Sequence, residues 1–162
     1  MLKKGILKKG MIITLTLFLS LIIIGNLAQA QTQKGNYRIG VQSSTLFKGT
    51  AGVSMIYDRN VDSSIQGILS LGSRTLILEG RILYRFHQKK NWNVYGFGSV
   101  GLYNTFDSPG FIGGTGLGVE YDIKSLNPAL PPVSVNADLG LMVMDNLNSF
   151  YNILRIGFHY RF

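Results

Sequence analysis

The sequence predicts an all-β fold, an eight-stranded antiparallel up-and-down transmembrane β-barrel that follows a cleaved signal peptide. Three observations predict it. From Asn36 to Phe162 apolar residues alternate with polar or small ones almost without a break, the period of strands whose two faces meet different surroundings. Charged residues are only 15% of the chain, aromatics 11%, and 20 of 162 residues are glycine, a composition that can face lipid without long apolar runs. The last stretch, Tyr151 to Phe162, puts Leu154, Ile156, Phe158, Tyr160 and Phe162 on one face and Ile153, Arg155, Gly157, His159 and Arg161 on the other. One face suits hydrocarbon and the other suits water.

The N-terminus reads as a leader. Lys3, Lys4, Lys8 and Lys9 precede an apolar run from Met11 to Ile24, and Ala28-Gln29-Ala30 follows it. A basic segment, a short apolar segment and a small-x-small site make a secretory signal, shorter than a spanning helix of ~20 residues. Residues 1–30 are therefore expected to be removed, leaving 31–162 as the barrel, with an uncleaved anchor as the competing reading. The formal charge of +8 comes from 16 Lys+Arg against 8 Asp+Glu. Four of the basic residues leave with the leader, so the remaining chain carries +4. Its basic residues are scattered, and Lys89-Lys90 is the one adjacent pair after the leader, which argues against a nucleic-acid partner. With no cysteine there is neither a lipoprotein anchor nor a disulfide, and hydrogen bonding and packing must hold the fold.

The strands follow in order. Tyr37, Ile39 and Val41 alternate with Arg38, Gly40 and Gln42 in the first, which ends near Ser44 before a small loop at 46–48. Ala51, Val53, Met55 and Tyr57 make the outward face of the second, and Asp58 to Asp62 has turn composition. In the third, Ile65, Gly67, Leu69 and Leu71 alternate with Gln66 and Ser70, up to a reversal at Gly72-Ser73-Arg74. The fourth sets Leu76, Leu78, Ile82, Tyr84 and Phe86 against Glu79, Arg81 and Arg85, and residues 87–91 turn the chain back. The fifth, Trp92 to Asn104, leaves its faces unassigned, because Tyr95, Phe97 and Tyr103 share one with Ser99 and Gly101 while Val94, Val100 and Leu102 share the other with Gly96 and Gly98; a β-bulge within it is one expectation. Residues 104–110 read as a loop.

The sixth strand runs from Phe111 to about Ile123, with Thr115, Leu117, Val119 and Tyr121 outward and Gly114, Gly116, Gly118, Glu120 and Asp122 inward. Its GGTGLG run does not cradle a phosphate, because that motif must open a helix and here the alternation runs on to Tyr121. Glycines instead relieve crowding in a narrow interior. After the proline-rich connection 124–132, Val133, Val135, Ala137, Leu139, Leu141 and Val143 oppose Ser134, Asn136, Asp138 and Gly140 in the seventh strand, and 144–150 is the last loop. Eight segments of roughly 9 to 12 residues fit a tilted bilayer crossing. An even number places both ends on one side, expected to be periplasmic, and closure pairs every backbone group inside hydrocarbon.

The chemistry then lies in the lumen, which at eight strands is just wide enough for side chains to fill. Arg38, Gln42, Glu79, Arg81, Arg85, Glu120, Asp122, Asp138, Arg155, His159 and Arg161 are predicted to line it. Mixed signs point to a plug of mutually neutralising ion pairs, because a pore selective for one ion sign would carry one charge. Tyr37, Tyr57, Tyr84, Phe86, Trp92, Tyr121, Phe158, Tyr160 and Phe162 lie near strand ends and suit interfacial girdles, whereas Phe106, Phe111, Phe150 and Tyr151 could gather at the other rim. No His/Asp/Glu cluster has zinc-ligand spacing, so neither metal nor cofactor is expected.

The leader together with the closing strand, ending in Phe158, Tyr160 and Phe162, resembles small bacterial outer-membrane barrels, the OmpA-like transmembrane domains and OmpX-like proteins. The resemblance implies an outer-membrane location in contact with lipid, a monomer, and a closing strand whose Phe158, Tyr160 and Phe162 are read by the barrel-assembly machinery. The loops near Leu46, Ser73, Asp107 and Asn148 are shorter than in those families and the 124–132 turn is longer, which argues against adhesion through long surface loops. Barrels of this size that act on lipid A acyl chains hold a His and a Ser together on the lipid side near the outer rim. His159 is predicted inward near the periplasmic end with no Ser two or three residues away, and His87 lies in a periplasmic turn, so no enzyme is expected. A structural or surface-interaction barrel is the leading expectation. A small channel or carrier would need an open lumen or a gap in the wall, sought at the glycine-rich fifth and sixth strands. A periplasmic lipocalin-like barrel would need the two faces inverted.

Overall fold

The structure, a computed structural model, describes residues 37–89, 91–105, 108–145 and 150–162; the predicted leader lies outside them. Eight strands follow one another: β1 (Tyr37–Ser44), β2 (Thr50–Asp58), β3 (Ser63–Gly72), β4 (Thr75–Gln88), β5 (Trp92–Thr105), β6 (Pro109–Asp122), β7 (Val133–Met144) and β8 (Phe150–Arg161). They form a closed antiparallel barrel in sequence order. β8 returns to β1 in a register from Arg38 opposite Arg161 to Ser44 opposite Arg155, so no strand is left as an open edge along that span.

The faces divide as the alternation requires. Ile82, Val100, Leu117 and Leu139 are each 60–72% exposed, while Arg38, Arg81, Asp138 and His159 are at most 1% exposed. A barrel that shows aliphatic side chains outside and hides charges inside matches hydrocarbon around it, since apolar area on this scale would not persist in water. This orientation also excludes the inverted, ligand-holding barrel, because the residues that would have lined its cavity are outside.

The structure settles strand five. Tyr95, Phe97, Ser99 and Tyr103 of β5 all face inward and are buried, and pairing with β6 runs without a shift from Trp92 opposite Tyr121 to Asn104 opposite Pro109. The irregularity falls instead on β4, between Arg85 and His87, where one extra residue at the barrel end is absorbed as a bulge. Parity alone could not assign β5, because its lumen side carries rings and its lipid side carries glycines. The continuous β5–β6 register also leaves no gap at the glycine-rich wall. β6 begins at Pro109, so part of the expected 104–110 loop is strand, and Asp58, expected in a turn, completes β2.

We call the end where β1 starts and β8 finishes the base, and the opposite end the far end. β1 and β2 have 8 and 9 residues against 14 in each of β4, β5 and β6, so the wall is shortest at β1 and β2. There the β1–β2 connection bends over the lumen through a short 3-10 turn, Leu46–Lys48. The longest described connection, 123–132, lies at the base.

Candidate functional site: the lumen

Strand parity and register bring the inward side chains into three tiers. The base tier centres on Asp58. Its Oδ1 accepts from Arg38 Nη2 at 2.9 Å, Arg85 Nη2 at 2.7 Å and Ser64 Oγ at 2.5 Å. Arg38 also donates through Nη1 to Glu120 across the barrel, and Arg85 Nη1 donates to the Val61 carbonyl at 3.2 Å. His159 Nε2 lies 2.5 Å from Ser54 Oγ. Apart from Ser54 and Asp58, which share β2, and the Val61 carbonyl in a turn, these groups come from different strands, so the tier ties the wall together across its diameter.

In the middle tier Arg155 grips Glu79 with both ends of its guanidinium, at 3.0 and 2.6 Å, the planar two-point geometry that makes Arg–carboxylate pairs strong. Arg81 Nη1 reaches Asp138 Oδ2 at 2.8 Å and donates to Gln66 Oε1 at 3.0 Å. The Tyr95 hydroxyl donates to Asp138 and accepts from Asn136 Nδ2 at 3.3 Å, and Gln66 Nε2 donates to Gln42 at 3.3 Å. The Arg81 guanidinium lies 3.8 Å from the centre of the Phe97 ring, a cation–π contact in a dry setting. Behind that ring sits Gly116, opposite Gly140 in the register. A Cβ on Gly116 would come within 2.6 Å of Phe97 Cζ, so glycine there makes the room the ring occupies.

The far tier is apolar. Leu46, Ile77, Tyr103, Ile112, Met142, Met144 and Ile153 form one buried cluster, with Phe47 and Tyr151 against it. Leu46 arrives from the loop rather than from a strand, and so closes the lumen from above.

Of the predicted lining residues, Arg38, Gln42, Glu79, Arg81, Arg85, Glu120, Asp138, Arg155 and His159 are buried in the lumen. Asp122 and Arg161 are not part of the network. Both are half-buried at the base rim, where Asp122 Oδ1 accepts from the Lys124 amide at 3.0 Å and the Arg161 amide donates to the Pro132 carbonyl at 2.9 Å. They lie at strand ends, where the inward face opens to solvent. Asp58 takes their place, and the lumen pairs four arginines, Arg38, Arg81, Arg85 and Arg155, with four carboxylates, Asp58, Glu79, Glu120 and Asp138. The signal for Asp58 was its parity with Gly52 and Ser54. Tyr95 carried no such signal while the faces of its strand were ambiguous.

No serine lies two or three residues from His159 in sequence, yet β2 supplies Ser54 to it from far away in the chain. Both residues are buried inside the barrel, and His159 Nδ1 has no hydrogen-bond partner among the described residues. Nine aromatics predicted for girdles, Tyr37 through Phe162, all belong to the base. At the far end Phe106 lies outside the described residues, Phe111 and Phe150 point outward and Tyr151 packs under the cap.

No protein-family model matches the chain, and no curated protein sequence matches it. Solved structures do. The N-terminal β-barrel domain of Pseudomonas aeruginosa OprF superposes with a TM-score of 0.60 at 15% identity, covering 80% of this chain and all of that one. Neisserial surface protein A gives 0.56 at 13% identity over 78% and 97% of the two chains. A de novo designed transmembrane β-barrel gives 0.54 at 16% identity over 80% and 98%. The chain thus shares the closed eight-stranded architecture of natural and designed transmembrane barrels.

Proposed function

We propose that the protein is a monomeric integral barrel of the bacterial outer membrane with a structural or surface-interaction role, neither enzyme nor channel, and in need of no cofactor. The observation that carries this reading is the filled lumen, with four ion-paired arginines below and an apolar cap above. A conducting path would have to break buried pairs and displace Leu46, Met142 and Met144. Its likeness in fold to solved outer-membrane barrels supports the location. On this reading the leader exports the chain through the periplasm, the assembly machinery reads Phe158, Tyr160 and Phe162 on β8, and the base faces the periplasm. The Ser54–His159 pair serves packing and hydrogen bonding, because neither side chain meets solvent or the lipid face.

Planar-bilayer recording on the refolded protein tests it. No unitary current is expected, and steady single-channel steps would sink the closed-lumen reading. Fractionation with unboiled and boiled gels tests the location. The band is expected in the outer membrane and faster when unboiled, whereas a soluble periplasmic band without a heat shift would overturn it.

A further inference from the structure

We propose that the base rim is a binding surface for anionic phospholipid headgroups, built from three turn cations set just beyond an aromatic belt; this rests on the reading of the barrel wall as membrane-spanning. The belt is made of aromatic pairs at three places around the base. Tyr37 stacks on Tyr57 with ring centres 4.9 Å apart, Trp92 faces Tyr121 in the register, and Tyr160 meets Phe162 edge-on at 5.2 Å. Rings with one apolar body and one polar tip settle at the headgroup level. Directly outside this level stand Arg59 after Tyr57, Lys89 with Nζ 5.5 Å from the Trp92 ring centre, and Lys124 after Tyr121.

All three cations are exposed, and none makes an ion pair among the described residues. The contrast with the lumen is sharp, for there every arginine has a carboxylate. The acids in the same turns are already engaged elsewhere. Asp62 Oδ1 accepts from Gln88 Nε2 at 2.7 Å, and Asp122 caps the turn through the Lys124 amide. Among the described residues the far end shows no such pairing of outward ring and charge. Its outward rings, Phe111 and Phe150, have no polar tip, and the exposed cation described in its turns is Arg74. A cation one to three residues beyond an interfacial ring lies at the depth of lipid phosphates, where each adds attraction to an anionic leaflet.

Trp92 is the single tryptophan of the chain, so its fluorescence reports on this rim alone. The test is quenching of Trp92 in phosphatidylcholine vesicles carrying an equal fraction of brominated phosphatidylglycerol or brominated phosphatidylcholine. The brominated anionic lipid is expected to quench about twofold more strongly. The preference should fall to parity in the R59S/K89S/K124S chain and at about 1 M salt, and persist in Arg74→Ser. The heat-shifted gel band confirms that each variant is folded, and Lys124→Ser alone, which leaves the Lys89–Trp92 contact in place, should already reduce the preference. Equal quenching of the wild type by both lipids, or a preference that survives the triple substitution, would overturn the headgroup surface. Absence of quenching by either lipid would instead overturn the membrane-spanning reading beneath it.

Discussion

Glu79 and Arg155 make the cleanest test of what the lumen network contributes at the scale of single residues. Both side chains are about 2% exposed and joined by two bonds, so removing either strands a buried charge, at a cost of about 3–5 kcal/mol. Glu79→Leu and Arg155→Met should each lower the unfolding free energy read from urea titration in lipid vesicles by that measure, and the double variant should lose far less than the two together. Additive losses would mean that the pair does not act as a unit. Gly116 makes a second test, through space rather than charge. A Cβ there would press on the Leu139 carbonyl at 2.2 Å as well as on Phe97, so Gly116→Ala should cost about 1–3 kcal/mol. Gly67, on the lipid side with nothing within 4 Å of the same atom, should accept alanine within about 0.5 kcal/mol. Equal effects at the two glycines would dismiss the packing account.

At the scale of an element, the β1–β8 seam decides whether the barrel closes. It has the shortest paired span, from Arg38–Arg161 to Ser44–Arg155, and is extended at its far end by the Thr45 amide on the Leu154 carbonyl at 3.0 Å and the Leu154 amide on Thr45 Oγ1 at 3.0 Å. Even-numbered residues of β8 direct their amides toward β1, as Leu154 and Phe162 show. Phe158→Pro therefore removes one seam bond inside hydrocarbon, where an unpaired carbonyl costs several kcal/mol. The unboiled, fast-migrating gel band should weaken or vanish. Gly157→Pro would take its bond from the β7 side instead and serves as the companion measurement. An unchanged band in Phe158→Pro would show that closure does not depend on this seam.

At the scale of the whole molecule the prediction concerns orientation. Because the chain contains no cysteine, a single introduced thiol reports its own side of the membrane. Arg74→Cys, in the β3–β4 turn at the far end, should react with a membrane-impermeant maleimide on intact cells. Lys124→Cys, at the base, should react only after the outer membrane is opened. The reverse pattern would place the base outside and would move the proposed lipid surface to the other leaflet. The barrel's asymmetry gives this experiment its meaning, since one end carries the tryptophan, the paired outward tyrosines and the turn cations Arg59, Lys89 and Lys124, while the other carries the outward Phe111 and Phe150 and an apolar cap.

The sequence by itself determined the number of strands, their order and most of their faces, because a wall between lipid and a narrow lumen imposes a period of two on every strand that crosses it. Leu76 through Phe86 against Glu79 through Arg85, and the whole of β8, needed no structure to be read. Tertiary structure decided what meets what inside. That Asp58 belongs to the network, that Asp122 and Arg161 stop at the rim, and that Ser54 reaches His159 all follow from register between strands distant in sequence. The faces of β5 were hidden for a related reason. Phe97 can point inward only because Gly116 and Gly140 on the facing strands leave room for it, and alternation within one strand carries no record of the space that its neighbours provide.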